Sequence, residues 1–365
     1  MNIICYMNKL NGGGAERVMT NIANELAEKG HNIILVNDYK MPDEYSLSEN
    51  VKHYYIDGEF SNRQGNVLIR TWNRIMFLRR MCKSAHADIL LSFIKDANYR
   101  AILATQGLRT KNIISVRIDP KRAYGSKLHA TVAKILYSIA DGCVFQTEEA
   151  AQWYPESVKK HSRIILNPIA DSFYLAEGTP LRDKRIVACG RLSKQKRFDL
   201  LLEAFAEVRR VFPDYKLEIY GEGEQREVLQ QQIFNLGIDD SAFLRGRVQD
   251  VQECIKDATI FALTSDFEGL PNALMEAMAL GLVVVSTDCD GGGAKTLINN
   301  NENGILVQKN DARCLAAEMK RVLENSALAE RLSENAERKA QSFCTKQIVN
   351  QWEQYMREVA GGTNR

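Results

Sequence analysis

The sequence predicts an α/β protein built from two doubly wound domains. Three observations carry this. A strand, a Gly-rich loop, a helix and a second strand open the chain, through Ile3–Met7, Asn11–Arg17, Val18–Gly30 and His31–Val36, which is the order of a parallel, helix-covered sheet. The same alternation starts afresh at Arg185, after a stretch over 167–184 that carries two prolines and little periodicity. A length of 365 residues exceeds what one ordinary core serves, so two domains are expected.

In the first half, Val51–Ile56 continues the strands and 65–82 reads as a helix rich in apolar and basic residues. Asp88–Phe93, Asn112–Val116 and Gly142–Thr147 follow as strands, and Ile164–Ile169 reads as a last strand running into a turn. The Gly-rich loop is not a dinucleotide fingerprint, because its third glycine position is Arg17. Its three glycines let backbone approach a ligand closely, or they serve a tight turn. In the second half, strand Arg185–Gly190 leads into the basic loop Arg191–Arg197 and the amphipathic helix Phe198–Val211. Strand Lys216–Gly221 ends in Gly-Glu-Gly-Glu (221–224), and Ala242–Gly246 is followed by Arg247 and Val248. Strands Ala258–Leu263 and Leu282–Ser286 bracket the stretch Thr264–Gly281. Asp290-Gly-Gly-Gly-Ala and a run of helices from Ala312 close the half.

Composition narrows the class. A hydrophobic share of 45% and a charged share of 26% fit a water-facing globular fold. Eight scattered cysteines without a C-x-x-C pair give neither a disulfide framework nor a zinc pattern, and suit a reducing compartment. The opening Met1–Met7 lacks a signal peptide's basic and apolar regions. The net charge of +2 hides an asymmetry: up to Leu166 there are 23 Lys and Arg against 16 Asp and Glu, a surplus of +7, while the rest carries −5. Between Phe60 and Ala87 no acid accompanies Arg63, Arg70, Arg74, Arg79, Arg80 and Lys83. From Ala97 to Ala140 the single acid is Asp119. Such a half expects an anionic partner, and no zinc finger, RRM or basic zipper pattern points to nucleic acid.

Thr264–Gly281 organises the second half. Pro271 suits the first position of a helix of about ten residues, and Gly281 its C′ end. Backbone N–H groups between Gly269 and Asn272 then aim at one spot, where an anion binds a helix start. Glu268 stands just before this helix and Glu276 inside it. One reading has Glu268 reaching past a phosphate to hydroxyls and Glu276 accepting from a ribose. The other makes Glu268 a dipole partner worth about 0.3–1 kcal/mol and Glu276 a solvated helix residue. Ligands of open α/β sheets bind at strand carboxyl ends, so the loops 12–17, 191–197, 221–224, 246–248, 266–272 and 290–294 are expected around one cleft. Arg191 and Lys196 there match a diphosphate. No D-x-D or His/Asp/Glu cluster offers a metal site.

The chain resembles the family 4 retaining glycosyltransferases of the GT-B fold over nearly its whole length. The residues that carry the resemblance are Gly12-Gly-Gly-Ala-Glu-Arg, Asn167-Pro168, Gly190-Arg-Leu-Ser-Lys-Gln-Lys, Gly221-Glu-Gly and Glu268-Gly-Leu-Pro-Asn-Ala-Leu-Met-Glu276, the last matching the family's Glu-x7-Glu motif. The resemblance implies an acceptor-side Rossmann-like domain over 1–168, joined by a crossover helix over 345–365, facing a nucleotide-sugar domain over 169–344 across a central cleft. It implies that Arg191 and Lys196 bind the donor diphosphate and that Glu268 contacts the donor sugar, the three forming the catalytic set. Gly269, Leu270, Pro271, Asn272 and Leu274 would supply contacts to phosphate, and Glu276 would bind the ribose. Gly221, Gly223, Arg247 and Val248 would lie near the base, while Gly13 and Gly14 let the first domain close on the diphosphate. Many relatives carry a His where this chain has Arg117. Arg117 cannot act as a base near neutral pH, but it suits a leaving phosphate.

The activity so implied is transfer of a hexose or N-acetylhexosamine from a UDP-sugar, with retention and without a metal or resident cofactor. The acceptor would be a lipid-linked or surface glycan on a polyprenyl diphosphate. Two alternatives stand beside it: a GT-B nucleotide-sugar epimerase or hydrolase, and a nucleotide-binding module without chemistry. The helix at 65–82 has two readings as well. As a membrane element it would set Trp72, Ile75, Met76 and Phe77 beside Arg70, Arg74, Arg79 and Arg80 on the anionic inner face of the cell membrane, attaching a cytoplasmic enzyme peripherally. As a core helix it would have a solvated basic face.

Overall fold

The computed structural model describes residues 1–58, 65–174 and 182–361. Arg63 of the basic stretch and the middle of the 167–184 segment lie outside them. Two compact units result, Met1–Pro168 with Thr345–Arg365, and Ile169–Cys344.

The first unit is a seven-stranded parallel sheet. Its strands are β1 (Asn2–Met7), β2 (Asn32–Asn37), β3 (Val51–Tyr55), β4 (Ile89–Phe93), β5 (Lys111–Ser115), β6 (Gly142–Phe145) and β7 (Ser162–Ile164), in the order β3-β2-β1-β4-β5-β6-β7. Burial on both faces explains why β1 and β4 read as continuous apolar runs. Side chains alternate between the faces. Ile3, Cys5 and Met7 pack with helix Gly14–Glu28 and with Ile348, Trp352 and Met356 of the C-terminal helix Thr345–Gly361. Ile4 and Tyr6 pack with Ile75 and Leu78 of helix Val67–Ser84 and with Ala97 and Ala101 of helix Lys95–Thr105. Hydrogen bonds pin the C-terminal helix to this sheet: Tyr355 Oη donates to the His161 carbonyl at 2.6 Å and accepts from the Cys143 amide at 2.9 Å.

The second unit is a six-stranded parallel sheet of β8 (Asp183–Cys189), β9 (Lys216–Tyr220), β10 (Ala242–Gly246), β11 (Ala258–Leu263), β12 (Val283–Thr287) and β13 (Ile305–Val307). Its order is β10-β9-β8-β11-β12-β13. The order reverses at β8/β11, so the loops after these two strands part and leave room for a ligand. Ile186, Ala188, Ile260 and Ala262 form its core with Leu201 and Phe205 of helix Phe198–Val211 and Leu315 and Met319 of helix Ala312–Glu324.

Four expectations change. The last strand of the first sheet is Ser162–Ile164, not 164–169, because Pro168 has no donor for a ladder. β13 was not foreseen, since three residues are too short to show a period. Pro271 caps helix Asn272–Ala279 from outside, with φ −76° and ψ 102°, so it precedes the first helical residue rather than occupying it.

The fourth concerns the basic helix. Arg74 is buried, 2.9 Å from Asp38 and also paired with Asp57, and Ile75 lies in the core. Arg79 donates to the carbonyls of Ala104 at 3.0 Å and Gln106 at 2.7 Å. A buried arginine needs such partners, and these residues are therefore not a lipid-facing set.

Candidate active site

The strand-end loops of the second unit are sewn together by backbone. Leu192 N–H donates to the Glu222 carbonyl and Gln225 N–H to the Leu192 carbonyl, each at 2.9 Å. Asp266 N–H donates to the Gln195 carbonyl and Glu268 N–H to the Asp290 carbonyl, each at 2.9 Å. The approach is close enough to exclude side chains. A Cβ on Gly221 would stand 1.9 Å from the Gly190 carbonyl oxygen, and one on Gly223 2.3 Å from that of Leu192. These two glycines are thus needed for loop-to-loop packing, a reason independent of any ligand.

Arg191, Lys196 and Glu268 line one open cavity of about 530 Å3, together with Ser193, Lys194, Gln195, Glu224 and Gln225. Lys196 Nζ donates to Glu268 Oε1 at 2.6 Å, and Ser265 Oγ donates to the same oxygen at 2.7 Å. Gln195 Nε2 donates to the Phe267 carbonyl at 2.7 Å, and Thr264 Oγ1 to the Lys196 carbonyl at 2.8 Å. Three of these four bonds cross between the two loops, and the Ser265 bond braces Glu268 within its own loop. Arg191 is exposed, and no carboxylate among the described residues pairs with it. Arg197, by contrast, is committed to Asp199 and Asp266 and is structural.

Glu276 is buried in helix Asn272–Ala279, which rules out a solvated helix residue. It stands beside Cys189, whose thiol is pushed above its ordinary range by burial and then by the Glu276 carboxylate. Leu270, Pro271 and Leu274 are buried while Gly269 and Asn272 are half-buried. Arg247 and Val248 do not line the cavity. They follow Gly246, whose carbonyl accepts from Gly221 N–H at 2.8 Å, so they border the 221–224 loop.

In the first unit Gly14 and Arg117 line a second cavity of about 430 Å3 at the carboxyl ends of β4 and β5, with Glu16, Ile94, Asn98 and Tyr137 among its walls. Gly13 caps helix Gly14–Glu28 beside it. Arg117 lies 3.8 Å over the Phe93 ring, and its Nη1 donates to Asn167. Its Nε and Nη2 are buried without a hydrogen-bond partner, and burial lowers its pKa to about 9. Ile94 adopts φ +75°, a strained conformation for a β-branched residue. Sequence reasoning singled out neither Ser265 nor Gln195. Ser265 acts on Glu268 within its own loop, three residues away, and Gln195 acts on the Phe267 carbonyl across loops. Among the described residues no group of three or more His, Cys, Asp or Glu is arranged to hold a metal ion.

Residues 176–339 match the family model of the glycosyl transferases, group 1. Those residues, nearly the whole of the second unit, form a group 1 glycosyl transferase domain. The chain is 28% identical over 362 residues to an alpha-1,4-N-acetyl-D-galactosaminyltransferase of Campylobacter jejuni named for a diNAcBac-PP-undecaprenol-linked acceptor, covering 98% of this chain and 99% of the relative. A second transferase of that organism, an N-acetylgalactosamine-N,N'-diacetylbacillosaminyl-diphospho-undecaprenol 4-alpha-N-acetylgalactosaminyltransferase, is 28% identical, with 96% of this chain and 98% of the relative covered. Among solved structures, Anabaena HepE in complex with UDP superposes with a TM-score of 0.80 at 17% identity, over 97% of this chain and 99% of that one. Sucrose-phosphate synthase of Thermosynechococcus elongatus superposes with 0.83 at 16%, over 100% of both. The fold is GT-B.

Proposed function

We propose that this glycosyltransferase moves a hexose or N-acetylhexosamine from a UDP-sugar to a glycan carried on a polyprenyl diphosphate, with retention and without a metal. The carrying observation is the single cavity that gathers Arg191, Lys196 and Glu268, two cations and one carboxylate, at the carboxyl end of the second sheet. In this reading Arg191 forks onto the donor diphosphate and Lys196 supplies a point charge. Backbone from Gly269 to Leu274 contributes N–H groups, and Glu268 fixes the sugar hydroxyls. Buried Glu276 takes the ribose, with Gly221, Gly223, Arg247 and Val248 bordering the base. Gly13, Gly14 and Arg117 serve a phosphate on the first unit.

The C1–O bond to UDP breaks as the acceptor oxygen bonds to C1 on the same face. The acceptor's proton passes to the leaving diphosphate, and the two cations stabilise its developing charge. The alpha linkages in the relatives' names support retention, since UDP-hexosamines are α at the anomeric carbon. Their undecaprenol-linked names support the lipid-borne acceptor, and in this reading the enzyme works on the inner face of the cell membrane. Among the described residues no helix is long and apolar enough to cross a bilayer, so attachment would be peripheral. The test is UDP release from a panel of UDP-sugars with and without an added polyprenyl-diphosphate glycan. Release that requires the acceptor supports transfer, equal release without it means hydrolysis, and conversion of the UDP-sugar without release means isomerisation.

A further inference from the structure

Helix Lys127–Ser138 of the first unit has two opposite faces. Tyr137, 1% exposed, points inward and lines the cavity that holds Arg117. On the other side Leu128, Val132 and Ile135, with Ile139 just past the helix end, are 71%, 39%, 61% and 52% exposed. Spacings of four, three and four residues set these four on one line along the helix. An aliphatic stripe in water is unfavourable and marks a contact surface.

The stripe is not isolated. Helix Lys127–Ser138 packs on helix Lys95–Thr105, which in turn packs on helix Val67–Ser84, so the three form one layer. The middle helix also exposes Leu103 at 44%, and helix Val67–Ser84 exposes Leu68 at 78% and Trp72 at 62%. Neither helix Val67–Ser84 nor helix Lys127–Ser138 contains an acid. Lys127 is exposed, and Lys134 Nζ stands 4.1 Å over the Trp153 ring at the flank of the stripe.

We infer that this layer is the membrane-docking face, with the stripe Leu128, Val132, Ile135 and Ile139 entering the interfacial zone of an anionic bilayer. The inference rests on the lipid-borne acceptor proposed above and replaces the buried Arg74 and Ile75 with residues that reach solvent. Charge chooses the occupant. The two flanking helices carry no acid and the middle one only Asp96, so two such faces in a homodimer would set cation against cation, whereas anionic headgroups complement them and the acyl boundary takes the aliphatic side chains. The arrangement joins lipid to chemistry through a single helix, which faces the bilayer outward and the Arg117 cavity inward through Tyr137.

Co-sedimentation with phosphatidylglycerol-containing vesicles tests this, phosphatidylcholine vesicles serving as the neutral arm. The wild type should partition to the anionic vesicles. The double variant Leu128→Ser, Ile135→Ser should lose roughly tenfold or more of that partition while keeping its far-UV spectrum. Phe234→Ser, at an exposed aromatic of the second unit, should lose none. As an independent reading, Ile135→Trp should shift its fluorescence to the blue on anionic vesicles alone. UDP release with a water-soluble acceptor should be unchanged in the double variant. If release fails in the wild type too, the transferase reading falls while the docking data stand. Absence of wild-type binding, equal loss in Phe234→Ser, or a dimer in light scattering that the double variant dissolves would each overturn the inference.

Discussion

Lys196 Nζ lies 2.6 Å from Glu268 Oε1, and Ser265 Oγ holds that same oxygen at 2.7 Å. The pair spans two strand-end loops, one after β8 and one after β11, and each charge neutralises the other in the free site. In the proposed function, a diphosphate arriving beside Lys196 would supply a second anion to the ammonium, and the sugar hydroxyls would replace the ammonium at Glu268. Donor binding would then exchange one set of charge-assisted contacts for another.

Replacing Lys196 or Arg191 by Ala should lower turnover by about 10²–10³ with the fold intact. The two side chains face a cavity rather than the core, so thermal melts should move little. Full activity in EDTA belongs to the same prediction. Steady-state UDP release with and without chelator measures both, and a strict requirement for Mg²⁺ would falsify the cation-pair account.

Glu268→Gln should damage turnover far more than UDP affinity, because UDP lacks the hydroxyls that Glu268 is assigned. Glu276→Ala should do the reverse, and should also destabilise the fold because Glu276 is buried beside Cys189. Calorimetric titration of UDP into both variants decides this. Equal loss of affinity would refute the division of roles.

The sheet alternation and the reversal to a second α/β unit were legible because strand–loop–helix periodicity is written in neighbouring residues, and the Arg191, Lys196, Glu268 grouping because ligand loops of such sheets gather at strand carboxyl ends and the Glu-x7-Glu resemblance marks Glu268. The surface of helix Val67–Ser84 was not. Its cations look alike in sequence, yet Asp38 and Asp57 draw Arg74 inward while the carbonyls of Ala104 and Gln106 occupy Arg79. Those partners are 17 to 36 residues away, and no window over the helix contains them. β13 hid for another reason: three residues between turns carry no period.

Arg117→Met should raise stability at pH 7 by about 1 kcal/mol while lowering turnover. The guanidinium is buried with two unpartnered donors, and an apolar side chain of similar length avoids that desolvation while keeping contact with Phe93. The sign follows from its pKa, lowered by burial to about 9 from the ordinary guanidinium value. The unfolded chain binds the extra proton between these values, so the penalty is fully present below about pH 9 and relaxes above it. Inorganic diphosphate should raise the melting temperature of the wild type by more than that of the variant, in which Arg191 and Lys196 remain. A variant that melts lower and responds to diphosphate as fully as the wild type would remove Arg117 from any anion site.

The C-terminal helix carries a pH-dependent anchor. Glu353 is held down to about 2 by Lys29 and Arg357, with His31 3.2 Å away adding to the effect. A carboxylate whose folded value is depressed contributes stability above its unfolded value, about 4.5, and loses it as pH falls towards 2. Lys29 and Arg357 are partly exposed, at 28% and 61%, so solvent screening reduces the anchor to on the order of 1–2 kcal/mol. Glu353→Gln should therefore lower the denaturation midpoint at pH 7, and the gap to the wild type should narrow steadily between pH 4.5 and pH 2. Urea titrations across that range measure it. A gap that stays constant would mean that Glu353 acts through packing alone, leaving the hydrogen bonds of Tyr355 to hold the helix against the first sheet.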